Sequence, residues 1–220
     1  MKELTTLYLI RHGTTDNNAS GHFQGSLNSP LNSLGFKQAK YLGKRFETIE
    51  LDAIYTSPLI RARQTAEGLK GNKNLPLIPL DGVVEVDGGK LEGRTIAEND
   101  NDFPGLIDQF KYDLPNFSAP DGESTRQVYD RVVDALTQIA DENPDKTIAC
   151  VSHGFAIQTF LCYAQGTAFE DMKQKILRNT AVSKFIFDED GTIHIEYIGD
   201  DNHLPDDMKC EQPAAFRIEE

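Results

Sequence analysis

Two short runs, Leu4 to Ile10 and Thr147 to Ser152, are apolar and β-prone, and each breaks off into a histidine–glycine pair, at Arg11-His12-Gly13 and at His153-Gly154. A further run, Leu51 to Thr56, reads as a short strand. Between these strands the apolar residues recur at helical spacing. Leu34 to Phe46 gathers Leu34, Ala39, Leu42 and Phe46, with Lys37, Lys40 and Lys44 for the wet side, and Ser124 to Asp141 gathers Val128, Val132, Leu136 and Ile139. Ser57-Pro58 is a helix start with proline just inside it, leading through Arg61, Ala62, Thr65 and Ala66 toward Gly68 or Gly71. Leu77 to Val86 has β character interrupted near Asp81-Gly82, and another helix follows His153-Gly154 through Phe160. Val182 to Phe187 and Thr192 to Ile198 flank an Asp-Glu-Asp-Gly turn as a hairpin. Strands alternating with helices predict an α/β fold: a three-layer sandwich with a mostly parallel central sheet flanked by helices.

The 220 residues suit a single domain. The stretch 88–122 departs from the alternation. It is rich in Gly, Asp, Asn and Pro, carries Phe103, Phe110, Tyr112 and Phe117, and reads as a small inserted helical and loop subdomain. Its aromatics are expected to pack the insertion rather than recognise a ligand. Its acidic run Glu98 to Asp102, like Asp188 to Asp190, reads as solvated loop. A tail after about residue 204 is acidic and expected to be loosely held. With 22 basic against 35 acidic side chains the net charge is −13, which makes nucleic acid and anionic membrane poor partners. Three cysteines without CxxC spacing argue against a disulfide framework. No signal-peptide core and no run of about 18 apolar residues is present. A cytoplasmic protein, monomer or weak homodimer, is the expectation.

In an α/β sheet, ligands bind beyond the carboxyl ends of the strands. His12 and His153 fall at that edge, Arg61 follows Leu51 to Thr56 by one short turn, and Glu85 closes another extended run. This inventory fits phosphoryl transfer. Arginine donates two hydrogen bonds from a planar, permanently charged fork. A neutral imidazole can attack phosphorus, and a carboxylic acid can protonate the leaving oxygen and later deprotonate water. No HExxH or paired Cys/His spacing supports a metal site, and no cofactor is implied. Asp87 and Glu92 lie close to Glu85, so a surface role for Glu85 stays open. His22, His194 and His203 are read as loop or strand-face residues.

Leu9-Ile10-Arg11-His12-Gly13-Thr14-Thr15, with Asn18 after it, resembles the signature of the histidine phosphatase (phosphoglycerate mutase-like) superfamily. The likeness runs collinearly through Phe23-Gln24-Gly25, Ser29-Pro30-Leu31, Tyr55-Thr56-Ser57-Pro58-Leu59, Arg61-Ala62-Arg63-Gln64-Thr65-Ala66, Glu85, Glu92-Gly93, Gly122-Glu123-Ser124 and Val151-Ser152-His153-Gly154. The resemblance implies transient phosphorylation of His12, with Arg11, Arg61 and His153 on the phosphoryl oxygens. It implies Glu85 as proton donor and acceptor. Asn18, Gln24 and Gly25 would line the same pocket, and the Gly154 amide would face the anion from a helix N-terminus. One departure is Leu91, where this family often has tryptophan before the Glu-Gly pair.

Three activities fit such a chain. The first is a phosphomonoesterase acting on a small phosphorylated metabolite without metal. The second is a phosphoglycerate mutase dependent on 2,3-bisphosphoglycerate, and the third a non-catalytic binding protein on the same fold. Intact Arg11, His12, Arg61, Glu85 and His153 speak against the third. The insertion offers only Lys90, Arg94 and Lys111 for a second phosphate, which favours the first over the second.

Overall fold

The structure, a computed structural model, describes residues 4–210. Its elements in chain order are β1 (Thr5–Arg11), α1 (Asp16–Ser20), α2 (Ser33–Arg45), β2 (Ala53–Thr56), α3 (Ile60–Lys70), β3 (Leu77–Pro79), α4 (Ile96–Asp102), α5 (Leu106–Tyr112), α6 (Thr125–Asp141), β4 (Thr147–Ser152), α7 (Gly154–Ala164), β5 (Val182–Phe187) and β6 (Ile193–Asp200). One six-stranded sheet runs in the order β3-β2-β4-β1-β5-β6. β3, β2, β4 and β1 are mutually parallel, and β5 and β6 form the antiparallel hairpin at one edge. The expected α/β architecture with a mostly parallel sheet is therefore the observed one.

Side chains alternate across a strand, and here both faces are buried. On one face Leu7, Leu9, Tyr55, Ile148 and Cys150 pack against α6, α7 and the 88–122 segment. On the other, Tyr8, Ile10, Ile54, Ala149 and Val151 pack against Leu42 of α2, Phe46 at its C-cap, and Ala62, Ala66 and Leu69 of α3. Helix starts follow local chemistry. Asn32 caps α2 through Gly35 N, and Ser124 with Gln127 forms a reciprocal capping box on α6. α7 differs: its N-cap, His153, makes no side-chain capping bond, so its first amides need another acceptor.

Three expectations change. The Leu77 to Val86 run is a strand only over Leu77–Pro79; a 3₁₀ turn at Asp81–Val83 follows, so Glu85 sits on a loop and not at a strand end. The helix after β2 begins at Ile60 with Leu59 as its uncapped N-cap, leaving Ser57 free for another use. The chain past residue 204 is packed as far as it is described. Leu204 is buried, a 3₁₀ turn spans Asp206–Met208, Gln38 Nε2 donates to the Met208 carbonyl at 2.9 Å, and Lys209 pairs with Asp201 and Asp206. The rest of the expected loose tail lies outside the described residues.

Candidate active site

β1 delivers Arg11 and, one residue beyond its end, His12. Both are buried, at 8% and 2% exposure. The His12 Nδ1 lies 2.7 Å from its neighbour's carbonyl, Gly13 O. A carbonyl only accepts, so the proton sits on Nδ1 and the Nε2 lone pair is free. Arg61 Nε donates to that Nε2 at 3.2 Å. Burial, then the charges of Arg61 and Arg11, hold the His12 pKa well below the ordinary histidine value, although the Gly13 hydrogen bond opposes this. His12 is thus a neutral imidazole with its acceptor nitrogen among cations.

The backbone around His12 is fixed from two sides. Gly13 packs against Gly35 at the start of α2; a Cβ on Gly13 would stand 2.9 Å from the Gly35 carbonyl oxygen. On the other side Asn179 Nδ2 donates to the His12 carbonyl at 2.9 Å, and Thr180 N donates to the Arg11 carbonyl at 3.0 Å. Thr180 holds φ 58°, a left-handed conformation that a β-branched residue adopts at a cost of about 1–3 kcal/mol. Sequence pattern offered no signal for this strap.

Arg61, in the first turn of α3, is 1% exposed. Its Nη1 donates to the Leu27 carbonyl at 2.6 Å and its Nη2 to the Gly25 carbonyl at 2.7 Å. Gln24 satisfies both neighbours with its amide oxygen toward Arg61, 2.8 Å from Nε and 3.0 Å from Nη1, and its nitrogen 2.6 Å from Thr15 Oγ1. Arg11 donates Nη1 to the Leu177 carbonyl, while its buried Nε has no partner among the described residues. Burial lowers both arginine pKa values to about 10, partly offset by Glu85. Both stay cationic at neutral pH.

Glu85 supplies what α7 lacks. Its Oε2 accepts from Phe155 N and its Oε1 from Ala156 N, each at 3.1 Å, and Oε1 also accepts from Val86 N at 3.0 Å. Glu85 thus takes the place of a capping side chain on α7. Its loop is held by Arg131 of α6, a residue the sequence reading missed. Arg131 Nη1 donates to Gly82 O at 2.9 Å and Val84 O at 2.7 Å, and Nη2 to Glu85 O at 3.1 Å. Glu123 pairs with Arg131 at 2.8 Å and accepts from Asp87 N at 2.9 Å. The neighbouring carboxylates are spent elsewhere: Glu92 Oε1 accepts from Ser26 N and Gly88 N, and Asp87 Oδ1 from Gly89 N.

His153 is fully buried beside His12, ring centroids 5.1 Å apart, with its Nε2 2.8 Å from Ser57 Oγ and its Nδ1 without a partner among the described residues. Its pKa too is pushed well below the usual value, by burial and then Arg61.

A cavity of about 420 Å³ opens over these groups. Arg11, His12, Asn18, Gln24, Gly25, Arg61, Glu85 and Gly154 line it; His153 stands behind His12 and does not. Gly154 lets α7 start this close: a Cβ there would lie 3.0 Å from Ile176 Cγ2 and 3.3 Å from Arg11 Nε. Asn18 reaches the lining from α1, where it forms a capping box with Thr15. The cavity also takes in His22, Phe110 and Cys210. The expectation that the insertion's aromatics pack the insertion holds for Phe117, whereas Phe110 packs and also faces the cavity. Among the described residues no group of three or more His, Cys, Asp or Glu is placed to hold a metal ion, and no helix is long and apolar enough to cross a membrane.

The model of the histidine phosphatase superfamily (branch 1) matches residues 7–200. The chain belongs to that superfamily. This histidine phosphatase superfamily member is 32% identical to the uncharacterized phosphatase PhoE of Bacillus subtilis, over 85% of this chain and 91% of that protein. It is 30% identical to the probable phosphoglycerate mutase GpmB of Klebsiella pneumoniae, over 90% and 94%. Among solved structures it resembles YhfR of Bacillus stearothermophilus with a TM-score of 0.85 and 35% identity, covering 90% of this chain and 98% of that one.

Proposed function

We propose that this chain is a metal-independent phosphomonoesterase that works through a phosphohistidine on His12. The observation that carries the reading is the His12 Nε2 lone pair, fixed by the Nδ1 bond to Gly13 O, set against Arg61 and opening on a cavity that also holds the Glu85 carboxylate. In the first step Nε2 attacks phosphorus and the ester P–O bond breaks. Protonated Glu85 gives its proton to the departing alkoxide, which leaves as the alcohol. In the second, Glu85 takes a proton from water, the hydroxide oxygen bonds to phosphorus, and the P–N bond returns its electron pair to His12. Arg11 Nε, buried and unpartnered, and Arg61 Nε are the donors for the charge spread over the non-bridging oxygens. Ser57 Oγ accepts from Leu59 N at 3.3 Å and lies 2.8 Å from His153 Nε2, where its hydroxyl can donate. With the Ser57 hydroxyl donating to Nε2, the His153 proton would sit on Nδ1, behind His12.

The relatives include a protein named as a phosphatase and one named as a probable mutase. The lining favours hydrolysis. Among the described residues its only Lys or Arg side chains are Arg11 and Arg61, which leaves none there for a second phosphate. Two of the insertion's three cations are turned elsewhere: Lys90 pairs with Asp121 and Arg94 with Asp102. The test is turnover of an aryl phosphate in the presence of a chelator. Wild type is expected to release inorganic phosphate and His12→Ala to lose at least about 10⁴-fold in rate. Equal turnover by His12→Ala defeats the mechanism, and interconversion of 3-phosphoglycerate faster than its hydrolysis defeats the choice of acceptor.

A further inference from the structure

The cavity has two unlike sides. At the phosphoryl side the polar groups, Arg11 Nε excepted, are engaged with one another or with backbone. The rest of the lining is largely apolar: Ala19, Phe23, Val86, Phe110, Phe155 and Ile176. The phenylalanines form one continuous wall: Phe23 meets Phe110 edge-on at 5.3 Å between centroids, and Phe110 stacks on Phe155 at 5.6 Å with an interplanar angle of 12°. Phe155 is also the residue whose amide holds Glu85, so the wall begins where the proton donor ends. The ionisable side chains on the lining beyond the phosphoryl group of residues are His22, whose Nδ1 lies 2.7 Å from Ser20 Oγ, and Cys210.

We infer that the substrates of this site are monophosphate esters of apolar, ring-bearing alcohols, and that Phe110, carried in by the insertion, sets that preference. The inference rests on the phosphomonoesterase reading above. An alcohol leaving His12 past Glu85 shares the cavity with these apolar side chains, which reward an apolar or ring-shaped group. A leaving group bearing a carboxylate finds no Lys or Arg beyond Arg11 and Arg61 among the described lining residues and must be desolvated beside Glu85 in a chain of net charge −13. The volume of about 420 Å³ lies toward the lower end of the range of about 300–1,000 Å³ for small-molecule sites, which points to one ring and a short linker.

The test uses esters of primary alcohols, so that leaving-group reactivity is matched: 2-phenylethyl phosphate against phosphoserine, by kcat/KM, with the full-length protein. Burying a phenyl-sized group predicts a preference of about tenfold to a hundredfold for the phenylethyl ester. Phe110→Leu, checked for an unchanged melting transition, is expected to shrink that preference mainly through KM. Ala19→Lys adds a cation at an exposed turn of α1 that lines the same cavity. It is expected to raise phosphoserine turnover several-fold while lowering that of the phenylethyl ester. Parity between the two esters in wild type, or a preference for phosphoserine, overturns the inference and leaves the hydrolase reading standing. Turnover of neither ester, nor of an aryl phosphate, removes both.

Discussion

Arg61 and Phe110 face the same cavity and are held there by opposite means. Arg61 is tied by hydrogen bonds to Leu27 O, Gly25 O and the Gln24 amide, and its Nε is shared between that amide and His12 Nε2. Phe110 has only ring contacts with Phe23, Phe117 and Phe155. Directional bonds fix an atom to within tenths of an ångström, which charge stabilisation requires. Packing tolerates exchange of one apolar shape for another. On the proposed function, the difference separates a part of the molecule that would set the reaction from a part that could be altered to set the substrate.

The largest effect expected from breaking the polar side is at Arg61. Arg61→Lys keeps a charge but cannot serve Leu27 O, Gly25 O, Gln24 and the phosphoryl group together. Steady-state kinetics should show kcat down about 10²–10³-fold, as for loss of a preorganised donor. Next is Arg131, which reaches the reaction only by holding the Glu85 loop. Arg131→Ala leaves three carbonyls and Glu123 in need of partners, so it should cost about 1–3 kcal/mol in denaturant unfolding. If Arg131 positions Glu85, the rate loss is on the order of tenfold for alkyl esters and smaller for nitrophenyl phosphate, whose leaving group needs less proton assistance. A loss equal for both esters would reduce Arg131 to a structural role.

The smallest effect is a pH slope, and it too divides the two sides, because the aromatic wall does not titrate. Burial first, then the nearby arginines, hold His12 and His153 well below 6.5; burial and Arg45 hold His203, beyond the cavity, at about 4. The unfolded chain therefore binds protons first, and stability falls as pH drops below about 6.5. For His203 the loss accumulates down to about 4. Melting temperatures measured from pH 7 to pH 4.5 should decline, and His203→Asn should flatten part of the decline. A flat profile in wild type contradicts the buried neutral imidazoles.

The same contrast explains what the sequence disclosed. His12, His153, Arg11 and Arg61 were legible because strand ends are marked by abrupt loss of apolar character, and the α/β pattern sends strand ends to one edge. Glu85 was found by type and likeness but misplaced. The β-prone residues Leu80, Val83, Val84 and Val86 mimic a strand, whereas the 3₁₀ turn at Asp81–Val83 and the Arg131 clamp decide the backbone. Arg131 itself lies 46 residues from Glu85, a pairing that no local pattern encodes. The Asn179-Thr180 strap depends on a positive φ at a β-branched residue, which propensity argues against. Phe110 was visible as an aromatic in an irregular stretch, yet its arrival in the cavity depends on how α5 docks on α7, and tertiary packing alone sets that.

The central claim is that phosphorus bonds to His12. Rapid mixing of the protein with an excess of aryl phosphate, quenching in alkali and peptide mapping by mass spectrometry tests it most directly. The account predicts a phosphoryl adduct that is stable in alkali and lost in acid, located on the peptide containing His12 and absent from His12→Ala. Burst release of the phenol with no adduct at His12, or an adduct mapped to another residue in an active enzyme, would contradict it.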